Sequence, residues 1–189
     1  MKYLFLTLVL MGTPSMSNSQ TNIIAIYGDS THSDCNIPYE MVMRAYVFHY
    51  SSSGATGSSF QAPWQSCFVE IEFVCDERVF PITSGTSQTG VSIEYGACLT
   101  GWIHILTVLY VDYSGLGFPA CCELPVLPHP NSSSGALEIL DCAGSVNSAT
   151  GVSGIAKADA SCPCEIPSGI AESGATWGKI KELYRKSDS

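Results

Sequence analysis

Charge is scarce in this chain, and positive charge most of all. Only 13% of the 189 residues are Asp, Glu, Lys or Arg, with eight basic side chains against seventeen acidic ones. The formal charge of −9 excludes the basic footprint that nucleic acid or an anionic membrane surface requires. Long apolar runs are missing inside the chain: Trp102 to Val111 is apolar but shorter than the roughly 20 residues that span a bilayer. There is no His-Glu-x-x-His, no pair of C-x₂₋₄-C units and no EF-hand-like alternation of acids, so the common zinc and calcium frameworks have no sequence basis. No internal repeat is visible, and segments of period 3.6 are nearly absent. Disorder is excluded from the other side, because hydrophobic residues make up 46% of the chain and can bury a sizeable core.

What is present begins with a leader. Lys2 supplies a positive end, Tyr3 to Met11 is apolar, Gly12-Thr13-Pro14 breaks the run, and Ser15, Ser17 and Ser19 offer cleavage sites. Residues 1–19 therefore read as an export signal with a helical apolar run, and that run is about half the length of a membrane anchor. Export sets the meaning of nine cysteines: Cys35, Cys67, Cys75, Cys98, Cys121, Cys122, Cys142, Cys162 and Cys164. In an oxidising compartment the default is a disulfide framework. Eight cysteines allow 105 pairings, so connectivity is open, and the ninth is a free thiol or an intermolecular bridge. Adjacent Cys121 and Cys122 are expected to clip different neighbours.

Most segments with a readable period are strands. Asn22 to Tyr27 ends at Gly28-Asp29. Glu40 to Tyr50 is β-branched and aromatic, with Arg44 and His49 on opposite faces. Cys67 to Val74 alternates, with Val69, Ile71 and Phe73 on one side and Glu70 and Glu72 on the other. Val91 to Tyr95 sits between glycines, Trp102 to Tyr113 is apolar on both faces, and Ala136 to Cys142 follows a Ser/Gly turn. Clusters at 51–59, 83–90, 114–119, 125–135 and 144–154 read as turns. This spacing predicts an all-β, antiparallel two-sheet sandwich over residues 20–160. Residues 161–175 read as a stiff linker. Residues 176–189 form a tail in which Trp177, Ile180, Leu183 and Tyr184 make one stripe of a short amphipathic helix.

Several stretches suggest chemistry. Gly28-Asp29-Ser30 after a strand is the pattern of the GDSL esterases, with Ser30 as nucleophile. No Gly-x-Asn-Asp block and no Asp-x-x-His pair near the C-terminus accompanies it, and His32 lies on the same loop only two residues after Ser30, so no catalytic residue is assigned. Cys162-Pro-Cys164 and Cys121-Cys122 lack zinc spacing, and no metal ligand set is assigned. Asp29, Asp34, Asp76, Glu77 and Asp112 would serve a weak loop calcium site, with solvated carboxylates the plainer reading. Trp64, Tyr46, Tyr50, Tyr110 and Tyr113 are candidates for stacking on sugars, Trp64 being the one expected to be exposed. Asn131-Ser-Ser is a formal glycosylation sequon.

One resemblance covers nearly the whole mature chain. Phe80-Pro-Ile-Thr-Ser-Gly-Thr-Ser-Gln-Thr-Gly-Val-Ser-Ile-Glu-Tyr-Gly-Ala-Cys98 runs into Gly101-Trp-Ile-His-Ile-Leu-Thr-Val. Cys121-Cys122, Pro125-Val-Leu-Pro-His-Pro, Ser134-Gly-Ala-Leu-Glu-Ile-Leu-Asp-Cys142 and a terminal Thr-Trp-Gly-x-Ile-Lys-x-Leu-Tyr-Arg follow. These stretches resemble a group of uncharacterised secreted bacterial proteins with that tail. The resemblance implies an immunoglobulin-like or cohesin-like sandwich, and a loop rather than a nucleophile block at Gly28-Asp29-Ser30. It brings no activity with it. The expectation is a non-enzymatic secreted or cell-surface module for binding, adhesion or structure, without a cofactor. Its tail would dock on a cell-surface or sorting component. Esterase action through Ser30 and carbohydrate binding are the alternatives, and the oligomeric state is left open.

Overall fold

The computed structural model describes residues 21–67, 70–115 and 119–164. The leader and the tail, with the helices expected in them, lie outside the described residues. Within those residues every regular element is a strand: β1 Asn22–Tyr27, β2 Asn36–Ile37, β3 Val42–Gln61, β4 Ile71–Arg78, β5 Ile82–Thr86 and β6 Gly90–Asp112. Then come β7 Cys122–Leu124, β8 Leu127–Pro128, β9 Leu137–Asp141, β10 Val146–Val152 and β11 Gly154–Ala156.

Two strands of 20 and 23 residues organise the fold. The first half of β3 pairs with β1 on one side and with residues 101–111 of β6 on the other, and β4 flanks that stretch of β6. The second half of β3 pairs with β9 and with the start of β6, which β5 flanks. β10 joins the layers at the far edge, antiparallel to β9 and then parallel to β1. The hydrogen-bonded sheet thus folds over into two layers, β10–β1–β3–β6–β4 and β10–β9–β3–β6–β5. Ile24, Ile26, Val47 and Ile105 of the first layer and Phe60, Ile93, Leu137 and Ile139 of the second share one buried core. Burying side chains of this kind contributes about 1.5–3 kcal/mol each, the main force closing the sandwich. β2, β11 and β7 form a separate three-stranded sheet at one end.

Several expected boundaries are corrected. Residues 51–59 are not a turn; β3 runs straight through them, with register shifts at Ser51/Ala55 and Ala55/Gly57. Val91–Tyr95 and Trp102–Asp112 belong to one strand, β6, and Tyr113 lies just beyond its end. The 83–90 cluster holds most of β5, and the 144–154 cluster holds β10. β4 starts at Ile71 and continues to Arg78, with a bulge between Phe73 and Cys75 that moves Cys75 to the outer face. The physical reason is shared: small residues read as turns, yet here they let long strands bend from one layer into the other. At the corner, Gly54 has φ +100°, and a Cβ there would lie 2.6 Å from the Cys142 sulfur and 2.9 Å from that of Cys98.

Eight cysteines are paired: Cys35–Cys164, Cys67–Cys122, Cys98–Cys142 and Cys121–Cys162. Cys121 and Cys122 do reach different partners, while Cys75 is free and exposed. Residues 161–164, at the start of the expected linker, are tied to the body by two of these bonds.

Candidate functional site

Strand alternation gives the first layer a second apolar face, turned away from the core. On β1 the outward residues are Ile23, Ala25 and Tyr27; on β3 they are Tyr46, Phe48 and Tyr50; on β6 they are Trp102 and His104. Register sets Ile23, Tyr50 and Trp102 in one row and Ala25, Phe48 and His104 in the next. The rings interlock: Tyr50 lies 5.2 Å from Trp102, Tyr27 5.7 Å from Trp102 and Phe48 5.0 Å from His104. Such pairs add about 0.5–1.5 kcal/mol each beyond burial. Ile23, Ala25, Tyr27 and Phe48 are buried, whereas Tyr46, Tyr50, Trp102 and His104 are half-buried. Burial pushes the Tyr27 hydroxyl up to about 12, with Asp29 adding to it. Partial burial lowers His104, against its hydrogen bond at the Leu106 carbonyl and the charge of Glu77. Both groups stay neutral at physiological pH.

The loop 28–35 closes over one side of this face. Gly28 donates its N–H to the Asp34 carbonyl at 2.7 Å, and a Cβ at Gly28 would fall 1.9 Å from the Asn36 carbonyl oxygen. Only glycine fits that approach. Asp29 accepts hydrogen bonds from the Ser33 N–H at 2.9 Å, the Thr31 hydroxyl at 3.0 Å and the Ser33 hydroxyl. Burial raises the Asp29 carboxyl, but these donors outweigh it and hold the group below the usual range. His32, at φ +51°, stacks on Trp102 at 5.1 Å. In this block the aspartate closes its own loop, the histidine packs on the indole and Ser30 is exposed.

The acids considered for calcium serve separate turns. Asp34 accepts from the Asn36 N–H, Asp76 from the N–H and hydroxyl of Ser87, and Asp112 from Tyr39, Ser114 and Gly115. Glu77 is exposed on β4, outward and opposite Thr107. Cys121, Asp159 and Cys162 lie close enough to hold an ion, but the two sulfurs are bonded to each other and offer no thiolates.

The aromatics divide. Trp64, expected to be exposed, is half-buried against Tyr110 at 6.4 Å, with its backbone N–H donated to the Gln88 Oε1 at 2.7 Å. Tyr110 is buried, and Tyr113 is exposed in the turn after β6. Tyr46 and Tyr50 do meet, with Trp102, on the outer face. Sequence reasoning missed Trp102 and His104 because the whole stretch is apolar. The usable signal is their alternation with Ile103 and Ile105, which point into the core. Trp177, Ile180, Leu183 and Tyr184 lie outside the described residues. A depression of about 170 Å³ also lies on the second layer, its lining including Gly57, Ser59, Ser92, Glu94 and Glu138.

No protein-family profile and no curated protein matches the chain. Two similar solved structures are cohesins. One is a non-cellulosomal cohesin from the hyperthermophilic archaeon Archaeoglobus fulgidus, 10% identical, with 75% of this chain and 92% of that one covered and a TM-score of 0.44. The other is the seventh ScaB type I cohesin from Pseudobacteroides cellulosolvens, 11% identical, with 77% and 96% covered and a TM-score of 0.48.

Proposed function

We propose that this chain is an exported, disulfide-stapled, non-enzymatic binding or adhesion module, and that the outer aromatic face of its first layer is the surface it presents. The face itself carries the reading: four half-buried rings, Tyr46, Tyr50, Trp102 and His104, stand together on a sheet whose opposite side already fills the core. Aromatic clusters with polar edges are the usual anchors of protein interfaces. Four disulfides support an oxidising, extracellular setting at the cell surface or beyond it. A bacterial origin, a cleaved leader and a docking role for the tail complete the proposal.

The self-closed Gly28-Asp29-Ser30 loop supports the non-enzymatic reading over an esterase. A panel of ester substrates checks this: the expected result is no turnover above background, unchanged in Ser30→Ala. Turnover abolished by that substitution would sink the proposal. Against sugar binding through Trp102 stands His32, which already occupies one face of the indole.

A further inference from the structure

We propose that the amphipathic segment 176–186 of this same chain docks on the aromatic outer face of the first layer. The tether is the first observation. Cys164 is bonded to Cys35, and both sulfurs belong to the cluster that packs on this face with Phe48 and Tyr27. The chain therefore enters its tail from the rim of the face. Eleven residues, 165–175, separate that anchor from Thr176, and they reach up to about 35 Å when extended. The face is three strands wide, about 10–15 Å, so the segment reaches all of it. Tethering of this length makes the encounter intramolecular, at effective concentrations on the order of millimolar.

Shape and charge agree. As a helix, 176–186 would be about 16 Å long, close to the length of the five-residue stretches of β1 and β3 that line the face. Its stripe of Trp177, Ile180, Leu183 and Tyr184 matches an apolar sheet face, the recognition mode in which an amphipathic helix lays one side on a hydrophobic surface. Its other sides carry Lys179, Lys181, Arg185 and Lys186 against the single acid Glu182. The body between residues 21 and 164 has thirteen acidic side chains and three basic ones. Glu77 points outward on β4 in the row of Tyr46 and Thr107, and Asp29 and Asp34 lie in the loop on the opposite side, with Arg44 beside Tyr46 the basic exception. A basic helix on an aromatic floor between two acidic margins is complementary in both respects.

The proposal needs only the face, not the binding role assigned to it, so its test is made on the isolated full-length chain. Hydroxyl-radical footprinting reads side-chain exposure residue by residue. In Trp177→Ala/Ile180→Ala, oxidation of Trp102 and Tyr50 is expected to rise at least about threefold over the unsubstituted chain, the tethered helix no longer excluding water from them. Tyr113, 73% exposed in a separate turn, serves as the internal control and should not change. Equal rates at Trp102 and Tyr50 in both chains overturn the proposal. Protection that disappears on dilution overturns it too, since it would assign the covering segment to a second copy. An esterase activity, which would defeat the function proposed above, would leave this result untouched.

Discussion

His49 is the one histidine of the described residues fully enclosed by the sandwich, and its ring bridges the two layers. It stands on the first half of β3, and its Nδ1 lies 2.8 Å from the hydroxyl of Tyr95, which belongs to the part of β6 in the second layer. Burial lowers its pKa from 6.5 to about 4. The imidazole is thus neutral in the fold, while the unfolded chain takes up a proton near pH 6.5. Stability is full above that value, declines as the pH falls from about 6.5 towards 4, and levels off below. The loss amounts to about 3 kcal/mol at most, at 1.36 kcal/mol per pKa unit. Urea denaturation at pH 7.5 and pH 4 should show it, and His49→Phe should flatten the decline between those values. An unchanged slope in the variant would place the acid sensitivity in other groups. In the sequence His49 was legible only as a polar residue facing away from Arg44. Its partner Tyr95 is 46 residues distant, and no local pattern links the two.

At the scale of elements, the corners decide the architecture. β3 and β6 each change layer, and the disulfide Cys98–Cys142 lies against Gly54, where β3 turns. It ties the bend of β6 to the end of β9 across that corner. In the chain-entropy account, a bond spanning 44 residues restricts the unfolded state by about 4 kcal/mol. Cys98→Ala/Cys142→Ala is expected to lose stability of that order in a denaturant titration, with the added exchange of amides concentrated at 51–57 and 96–101. A loss below about 1 kcal/mol would mean that packing alone holds the bend. These corners also explain what the sequence hid. Ala45 to Tyr50 and Ile103 to Tyr110 announce strands through β-branched and aromatic content. Ser51 to Ser59 announces a loop, yet β3 continues because Gly57 passes beneath the Ile93 carbonyl, where a Cβ would sit 2.8 Å from the oxygen. Tertiary approach, not local propensity, selects the small residues. The aromatic face was half legible: Tyr46 and Tyr50 were picked out, but only the register of three strands brings Trp102 and His104 beside them.

For the whole molecule, covalent closure is concentrated at one end. The strands of the small sheet, β2, β11 and β7, are only two or three residues long, too short to hold by backbone bonding alone. Cys35–Cys164, Cys67–Cys122 and Cys121–Cys162 all converge there, and the vicinal pair Cys121-Cys122 joins two of the bonds at one point. The cysteine count and the leader pointed to such a framework, but spacing could not choose among the pairings, because each bond closes 41 residues or more. Thiol–disulfide exchange requires a thiolate to reach a sulfur, so the order of reduction in the native state should follow exposure. Cys75 is exposed and unpaired and should alkylate before any reductant is added. Cys98–Cys142, exposed at both ends, should open first under mild reductant, and Cys121–Cys162, half-buried at both ends, next. Cys35 and Cys122 are each 1% exposed, and their bonds should persist until the small sheet itself opens. Differential alkylation followed by peptide mass mapping reads this order directly. Simultaneous loss of all four bonds would show instead that the stapled end and the corner of the sandwich open as one cooperative unit.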